Sequence, residues 1–285
     1  MTLTVSAPSV LDIGESGSGK TWAICTLAKA GLEVFVIITE PTGLESLLDA
    51  WEREKLPIEK LHWRQITPAR TGFEGLLAQA KIVSIADQKF LSDQKPTGNR
   101  GGSKWIDLLS TCDKFICERD GKDYGSITNF DPSRAVVFDS MSGLNLMAMD
   151  IVIGDKSTAN PGEWGIAMKL LEKLLLSLTS GLKCTLVITA HMEKELNENA
   201  GAQQIMVSTL GKKLAPTIPR FFSEVVMSYR EGSNFFWSTS AANVALKSRS
   251  LPVAPKLAAD YGPIIKRYRE RLAFANPTQT ETKGT

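Results

Sequence analysis

An α/β fold of three layers, with helices on both faces of a mainly parallel central sheet, is the expectation from this sequence, and three observations carry it. Apolar runs at 34–38, 135–138 and 184–189 lack polar alternation, as expected of strands buried on both faces of a parallel sheet. Stripes of apolar residues at helical spacing lie between such runs, for example Leu44, Leu47, Leu48 and Trp51. A glycine-rich segment joins a first short strand, with Val10, Leu11 and Ile13, to a first helical stripe, with Trp22, Ala23, Leu27 and Ala28. At 285 residues and 43% hydrophobic content the chain can bury a large core, and residues 1–275 are expected to form one domain.

The glycine-rich segment, Gly14-Glu15-Ser16-Gly17-Ser18-Gly19-Lys20-Thr21, fits G-x-x-x-x-G-K-[ST] at every fixed position, the pattern of a phosphate-binding P-loop. Glycine is needed because backbone N–H groups must converge on phosphate oxygens that side chains would block. The following helix points its positive end at the same anion. Lys20 is then expected to hold the β- and γ-phosphates of ATP, and the Thr21 hydroxyl to bind the Mg2+ that bridges them. Gly14 to Trp22 is the candidate nucleotide-binding segment of a nucleoside triphosphatase. The alternative is a flexible Gly/Ser surface loop that matches by accident.

Gly31 stops the first helix and the run at 34–38 follows, ending at Thr39-Glu40. After a turn at 41–43 a second helix runs up to Pro57, and 62–66 reads as a strand. Residues 73–86 read as a helix with Leu76, Leu77, Ala80, Ile82 and Val83 on its apolar face. The polar stretch 87–103 has the composition of a mobile loop and opens an insertion and connector reaching 133. Within it Trp105, Leu108, Leu109, Cys112, Phe115 and Ile116 form a helical stripe. The run at 135–138 ends in Asp139, the pattern of a Walker B strand that holds the Mg2+ site through a carboxylate at its end. A polar loop at 150–162 precedes an apolar helix at 164–178. The run at 184–189 then delivers Ala190-His191 to the sheet edge where open α/β folds bind ligands. His191 is therefore a candidate phosphate sensor, with a structural histidine as the alternative; His62 has no comparable setting. The Thr-rich tail 276–285 lacks an apolar pattern and is expected to be disordered.

A formal net charge of +2 is too small to imply a polyanionic partner by itself. Four cysteines, Cys25, Cys112, Cys117 and Cys184, are too few and scattered for a disulfide framework and read as buried free thiols. No apolar run approaches bilayer-spanning length and the start lacks a signal-like segment, so a cytoplasmic protein with no membrane partner is expected.

Many P-loop ATPases place Glu directly after the Walker B Asp to position the attacking water, yet Ser140 stands there. Glu40 is the candidate instead, since its strand can lie beside that of Asp139. A solvated charge at a helix N-terminus is the alternative.

Taken in order, these residues resemble the RecA-type ATPase core, and especially the compact RecA-like P-loop proteins of phages linked to single-strand annealing and recombination. Glu40 matches the family's glutamate at the end of the strand after the P-loop helix, and Asp139-Ser140 matches its Asp-Ser ending of Walker B. His191 stands where the family has a glutamine sensor. Lys247-Ser248-Arg249 matches a Lys-x-Lys or Lys-x-Arg pair that reaches the nucleotide of the neighbouring subunit. Trp164-Gly165 and Thr189-Ala190-His191 match the phage group, and the likeness covers about 10–268.

The resemblance implies a RecA-like core with catalytic residues Glu40, Lys20, His191, Lys247 and Arg249, and a homo-oligomer with shared ATP sites. It also implies single-stranded DNA as a partner, facing loops at 153–162 and 192–208. Alternate residues of a strand at 247–249 would bring both cations to one anion, whereas an ordinary basic loop before Pro252 is the alternative. About nine residues precede the first strand and 87–133 lacks an obvious RecA counterpart, which leaves filament formation open. The segment 192–208 has Lys194, Gln203 and Gln204 but no aromatic to stack on a base, so it supports backbone contact at most. An ATP-switched assembly protein without nucleic acid is the main rival, and a small-molecule kinase a third reading.

Overall fold

The computed structural model describes residues 5–68, 72–85, 103–154, 156, 158–197 and 202–276. Its strands are β1 (Ser9–Gly14), β2 (Glu33–Ile38), β3 (Leu61–Gln65), β4 (Arg134–Asp139), β5 (Thr185–Ala190), β6 (Met192–Asn197), β7 (Ala202–Val207), β8 (Glu224–Glu231), β9 (Asn234–Ser238) and β10 (Leu257–Ala258). Eight of them form one sheet in the order β10-β9-β8-β1-β5-β4-β2-β3. The run from β8 to β3 is parallel throughout, and β9 and β10 extend the other edge antiparallel. The fold is thus α/β with a large, mostly parallel central sheet.

Each strand supplies both faces of the sheet because its side chains alternate. Val34, Val36 and Ile38 of β2 join a core beneath α1 (Lys20–Lys29), α2 (Gly43–Arg53) and, further along the chain, Ile264 and Ile265 of the final helix. Phe35 and Ile37 join the opposite core. There they meet Leu144 and Met147 of a helix at Met141–Ile153, and Leu171 and Leu175 of one at Pro161–Gly181. With α3 at Phe73–Ile85 and α4 at Lys104–Asp113, those two are α5 and α6; α7 is Gly211–Leu214 and the last, α8, is Gly262–Ala275. Helices therefore cover both faces of the sheet. A capping box between Asn160 and Glu163, with Pro161 at the first position, starts α6 three residues before its apolar stripe.

Several expectations need correction. The stretch 192–208, expected as a loop, is largely the antiparallel hairpin β6–β7, paired from Met192 opposite Val207 to Asn197 opposite Ala202. Charged and amide residues (Glu193, Lys194, Glu195, Gln203 and Gln204) dominate the middle of the hairpin and its apolar residues Ile205, Met206 and Val207 fall in one run, so no regular alternation announces the strands. Helix α5 runs on to Ile153, into the predicted polar loop. Helix α3 forms where periodicity predicts it, but Leu76, Leu77, Ile82 and Val83 all stay exposed, because it packs on neither core. Helical spacing shows that a stripe exists, not what meets it. Of the loop expected at 87–103 all but Ser103, and of the tail expected at 276–285 all but Asn276, lie outside the described residues. Among the described residues, no helix is long and apolar enough to cross a membrane.

Gly143 in α5 marks where this helix presses on the end of β2. A Cβ there would stand 2.3 Å from Thr39 Cβ and 2.7 Å from the Thr39 carbonyl oxygen. Thr39 in turn donates from Oγ1 to the Ser140 carbonyl at 2.7 Å and accepts from Ser140 N at 2.8 Å, pinning β2 to the start of α5. Gly143→Ala should destabilise the fold by about 1–3 kcal/mol despite the better helix propensity of alanine. Gly165→Ala, in α6 with open space around it, should instead gain up to about 1 kcal/mol. Urea unfolding midpoints of the two variants measure the contrast, and a neutral Gly143→Ala would mean that the contact is slack.

Candidate functional site

The segment from Gly14 to Gly19 leaves the carboxyl end of β1 and turns directly into α1. Gly17 and Gly19 have φ of 75° and 93°, in the left-handed region that other residues rarely adopt. Phe235 of β9 packs so closely on Gly19 that a Cβ there would lie 2.3 Å from the ring. The Lys20 side chain returns to this loop, and its Nζ donates to the carbonyls of Gly14 at 2.9 Å and Glu15 at 2.8 Å.

Asp139 ends β4 and is buried. Thr21 Oγ1 donates to its Oδ2 at 2.9 Å, and Thr189 Oγ1 to its Oδ1 at 2.5 Å. Burial raises the Asp139 pKa, against the pull of these two hydrogen bonds. Burial likewise lowers the Lys20 pKa, opposed by Asp12, Asp139 and Glu40. A buried carboxylate beside a threonine hydroxyl is an all-oxygen donor set, which fits Mg2+, a hard cation that takes few protein ligands and keeps several waters.

Glu40 stands two residues beyond β2, which lies beside β4 with Ile38 opposite Asp139. Its Oε1 accepts from His191 Nε2 at 3.1 Å and from the Ser140 hydroxyl. The His191 hydrogen bond is the main cause that lowers the Glu40 pKa, outweighing burial with help from Ser140. An ionised carboxylate only accepts, so His191 carries its proton on Nε2. Among the described residues Glu40 Oε2 has no hydrogen-bond partner, which leaves it open to a water.

These groups line a cleft of about 340 Å³ that also takes in Ser16 to Trp22, Thr42, Arg230 and Phe235. Arg230 and Phe235 have no motif to announce them; they arrive through the pairing of β8 with β9. Asp12 also escapes a reading of β1 for its apolar residues, although a carboxylate inside such a run is a signal. It is fully buried, accepts from Ser228 Oγ at 2.5 Å and Tyr261 Oη at 3.1 Å, and burial pushes its pKa up to about 6. The second histidine, His62, is buried as well, at the amino end of β3.

Lys247 and Arg249 do not join the cleft within this chain, and the strand expected for them is absent. Only Lys247 makes a β-bridge, to Val225 near the amino end of β8, whereas Gly14 lies opposite Ser228 towards the other end. The segment bends because one buried carboxylate gathers it: Glu224 accepts from Ser248 Oγ, Arg249 N and Ser250 Oγ at 2.5–2.9 Å. Lys194 of β6 reaches back to Glu15 of the glycine-rich loop, with Nζ 3.0 Å from Oε1. No protein-family model matches the chain, and no curated protein matches it in sequence. Function therefore has to be read from the chemistry of this site.

The raised pKa of Asp12 means that the folded chain holds its proton to higher pH than the unfolded chain, whose carboxyl keeps the ordinary value of 3.8. Its contribution to stability is fully present below about pH 4 and is lost as pH rises through about 6. Asp12→Asn should remove that loss, gaining on the order of 2–3 kcal/mol over wild type at pH 8 and little at pH 4. Denaturant midpoints across this range test it, and an offset independent of pH would mean that Asp12 ionises normally.

Proposed function

We propose that this chain is a Mg2+-dependent, RecA-like P-loop ATPase that works as a homo-oligomer in DNA recombination or single-strand annealing. The hydrolytic part rests on one observation. At a single edge of a parallel sheet, a lysine in a glycine-rich loop meets a buried aspartate bonded to threonines and a glutamate bonded to histidine. Mg2+ beside Thr21 and Asp139 would offset the charge on the phosphoryl oxygens. Lys20 holds the β- and γ-phosphates of ATP. Glu40 orients a water through Oε2 for in-line attack on the γ-phosphorus. The water oxygen bonds to phosphorus as the bond to the bridging oxygen breaks, giving ADP and phosphate. A depressed pKa suits Glu40 to align the water rather than keep its proton, which leaves with the phosphate. His191 couples Glu40 to the end of β5 and senses the γ-phosphate.

Lys247 and Arg249 are assigned to the ATP of a neighbouring subunit. Their place near the amino end of β8 sets them away from Lys20 of their own chain. The role in recombination follows from the resemblance, with β6–β7 as the element facing single-stranded DNA. One observation favours the reading without nucleic acid: on β6, Lys194 is flanked by Glu193 and Glu195, whose carboxylates repel a phosphate backbone and suit a protein surface better.

Lys20→Ala and Asp139→Ala should each lower ATP turnover on the order of a hundredfold or more. Glu40→Gln should still bind nucleotide while hydrolysing it at a small fraction of the normal rate. Near-normal turnover in Lys20→Ala or Asp139→Ala overturns the ATPase reading. Mixing inactive Arg249→Ala with inactive Lys20→Ala should restore part of the activity, because one subunit then supplies the cation and the other the loop. ATPase rates with and without single-stranded DNA, together with salt-dependent DNA binding, separate the two partner readings. No stimulation and no binding leave the assembly protein.

A further inference from the structure

We propose that His62, Cys117 and Asp120 form a site for one Zn2+ at the amino ends of β2 and β3, the opposite end of the sheet from the phosphate cleft. One donor atom from each residue lies within 4.8 Å of the others. His62 and Cys117 are buried, while Asp120 is partly exposed and gives the site a side open to water. A tight turn presents two of the ligands: Cys117 N donates to the Lys122 carbonyl at 3.0 Å and Gly121 N to the Cys117 carbonyl at 2.9 Å.

Two further observations set this apart from a chance cluster. His62 Nε2 is bound to the Glu33 carboxylate at 2.9 Å, which leaves Nδ1 as a lone pair 3.8 Å from Asp120 Oδ2. A carboxylate that orients the outer nitrogen of a ligating histidine is the usual second layer of a zinc site. The imidazole is also fixed in place, stacked on Phe35 at 4.5 Å between ring centres and flanked by Tyr124 at 4.4 Å. Sulfur, nitrogen and oxygen donors thus lie close enough to be drawn onto one ion.

Thiolate with imidazole and carboxylate selects zinc over the hard cations Mg2+ and Ca2+. Bonds of about 2.0–2.3 Å place tetrahedral donors roughly 3.3–3.7 Å apart, so the three groups need to draw in by about an ångström. Water takes the fourth position. Binding converts Cys117 to the thiolate and releases one proton, so affinity rises with pH.

One group opposes the ion. Arg119 Nη2 lies 3.4 Å from His62 Nδ1 and 2.8 Å from Asp120, and its Nε holds the Leu61 carbonyl. Its guanidinium must swing aside, so Arg119 sets the affinity of the site.

Full-length protein stripped with a chelator and titrated with Co2+ tests this. We expect a thiolate-to-cobalt charge-transfer band that saturates at one equivalent per chain, is bleached by Zn2+ and is missing in Cys117→Ser. Zn2+ should raise the melting temperature of wild type but not of Cys117→Ser. Arg119→Gln, which keeps a side chain able to donate to the Leu61 carbonyl, should bind Zn2+ about tenfold more tightly or better, through loss of a like charge. The proposal is overturned by the absence of a band at one equivalent, by a band that persists in Cys117→Ser, or by unchanged affinity in Arg119→Gln.

Discussion

The need to keep Lys20 charged where little water reaches governs the arrangement of this sheet. A buried ammonium persists only when opposite charge and hydrogen bonds surround it. Asp12 on β1 and Asp139 on β4 supply that charge, and each is itself buried and needs donors. The strand order meets both needs. Asp12 lies in register with Val226 of β8, so Ser228, two residues on, falls on the same face and donates to it. Strand β5 lies between β1 and β4, and its Thr189 donates to Asp139 from there. Each carboxylate-bearing strand thus adjoins a strand that carries a hydroxyl.

From this charged centre the edge of the sheet separates two carboxylates into different states. Asp139, enclosed between strands, has its pKa raised, whereas Glu40, at the rim and bonded to His191, has its pKa lowered. Environments that push neighbouring acids apart divide their roles, one suited to a metal and one to a water. Thr39 and Ser140 join the two through reciprocal hydrogen bonds, so the positions of the carboxylates are coupled through the backbone.

What could be read from the chain was whatever depends on local spacing. The buried strands, the helical stripes, the loop before α1 and the adjacency of Glu40 and Asp139 all follow from period and order, and the structure brings Lys20, Thr21, Glu40, Asp139 and His191 to one cleft. Features that depend on distant pairing were not legible. Hairpin β6–β7 lacks a regular apolar alternation to betray it, and the bend at 247–249 is imposed by Glu224 from another element. Asp12 looks like an interruption of β1 until Ser228 and Tyr261 are seen around it. His62 and Cys117 become neighbours only when the turn at 117–122 folds onto the start of β3.

That same turn has a consequence for the outer strand of the sheet. At one end the sheet stops with β10, only two residues long, while at the other β3 would present a row of bare peptide groups. The segment that crosses it lays Glu118 N on the Trp63 carbonyl at 2.9 Å and pairs Glu118 with Arg64. An uncovered outer strand recruits strands from other chains and seeds insoluble aggregates. The segment therefore covers part of that edge, and its loss would bare peptide groups of β3 to other chains while the cleft at the far end of the strands stayed intact.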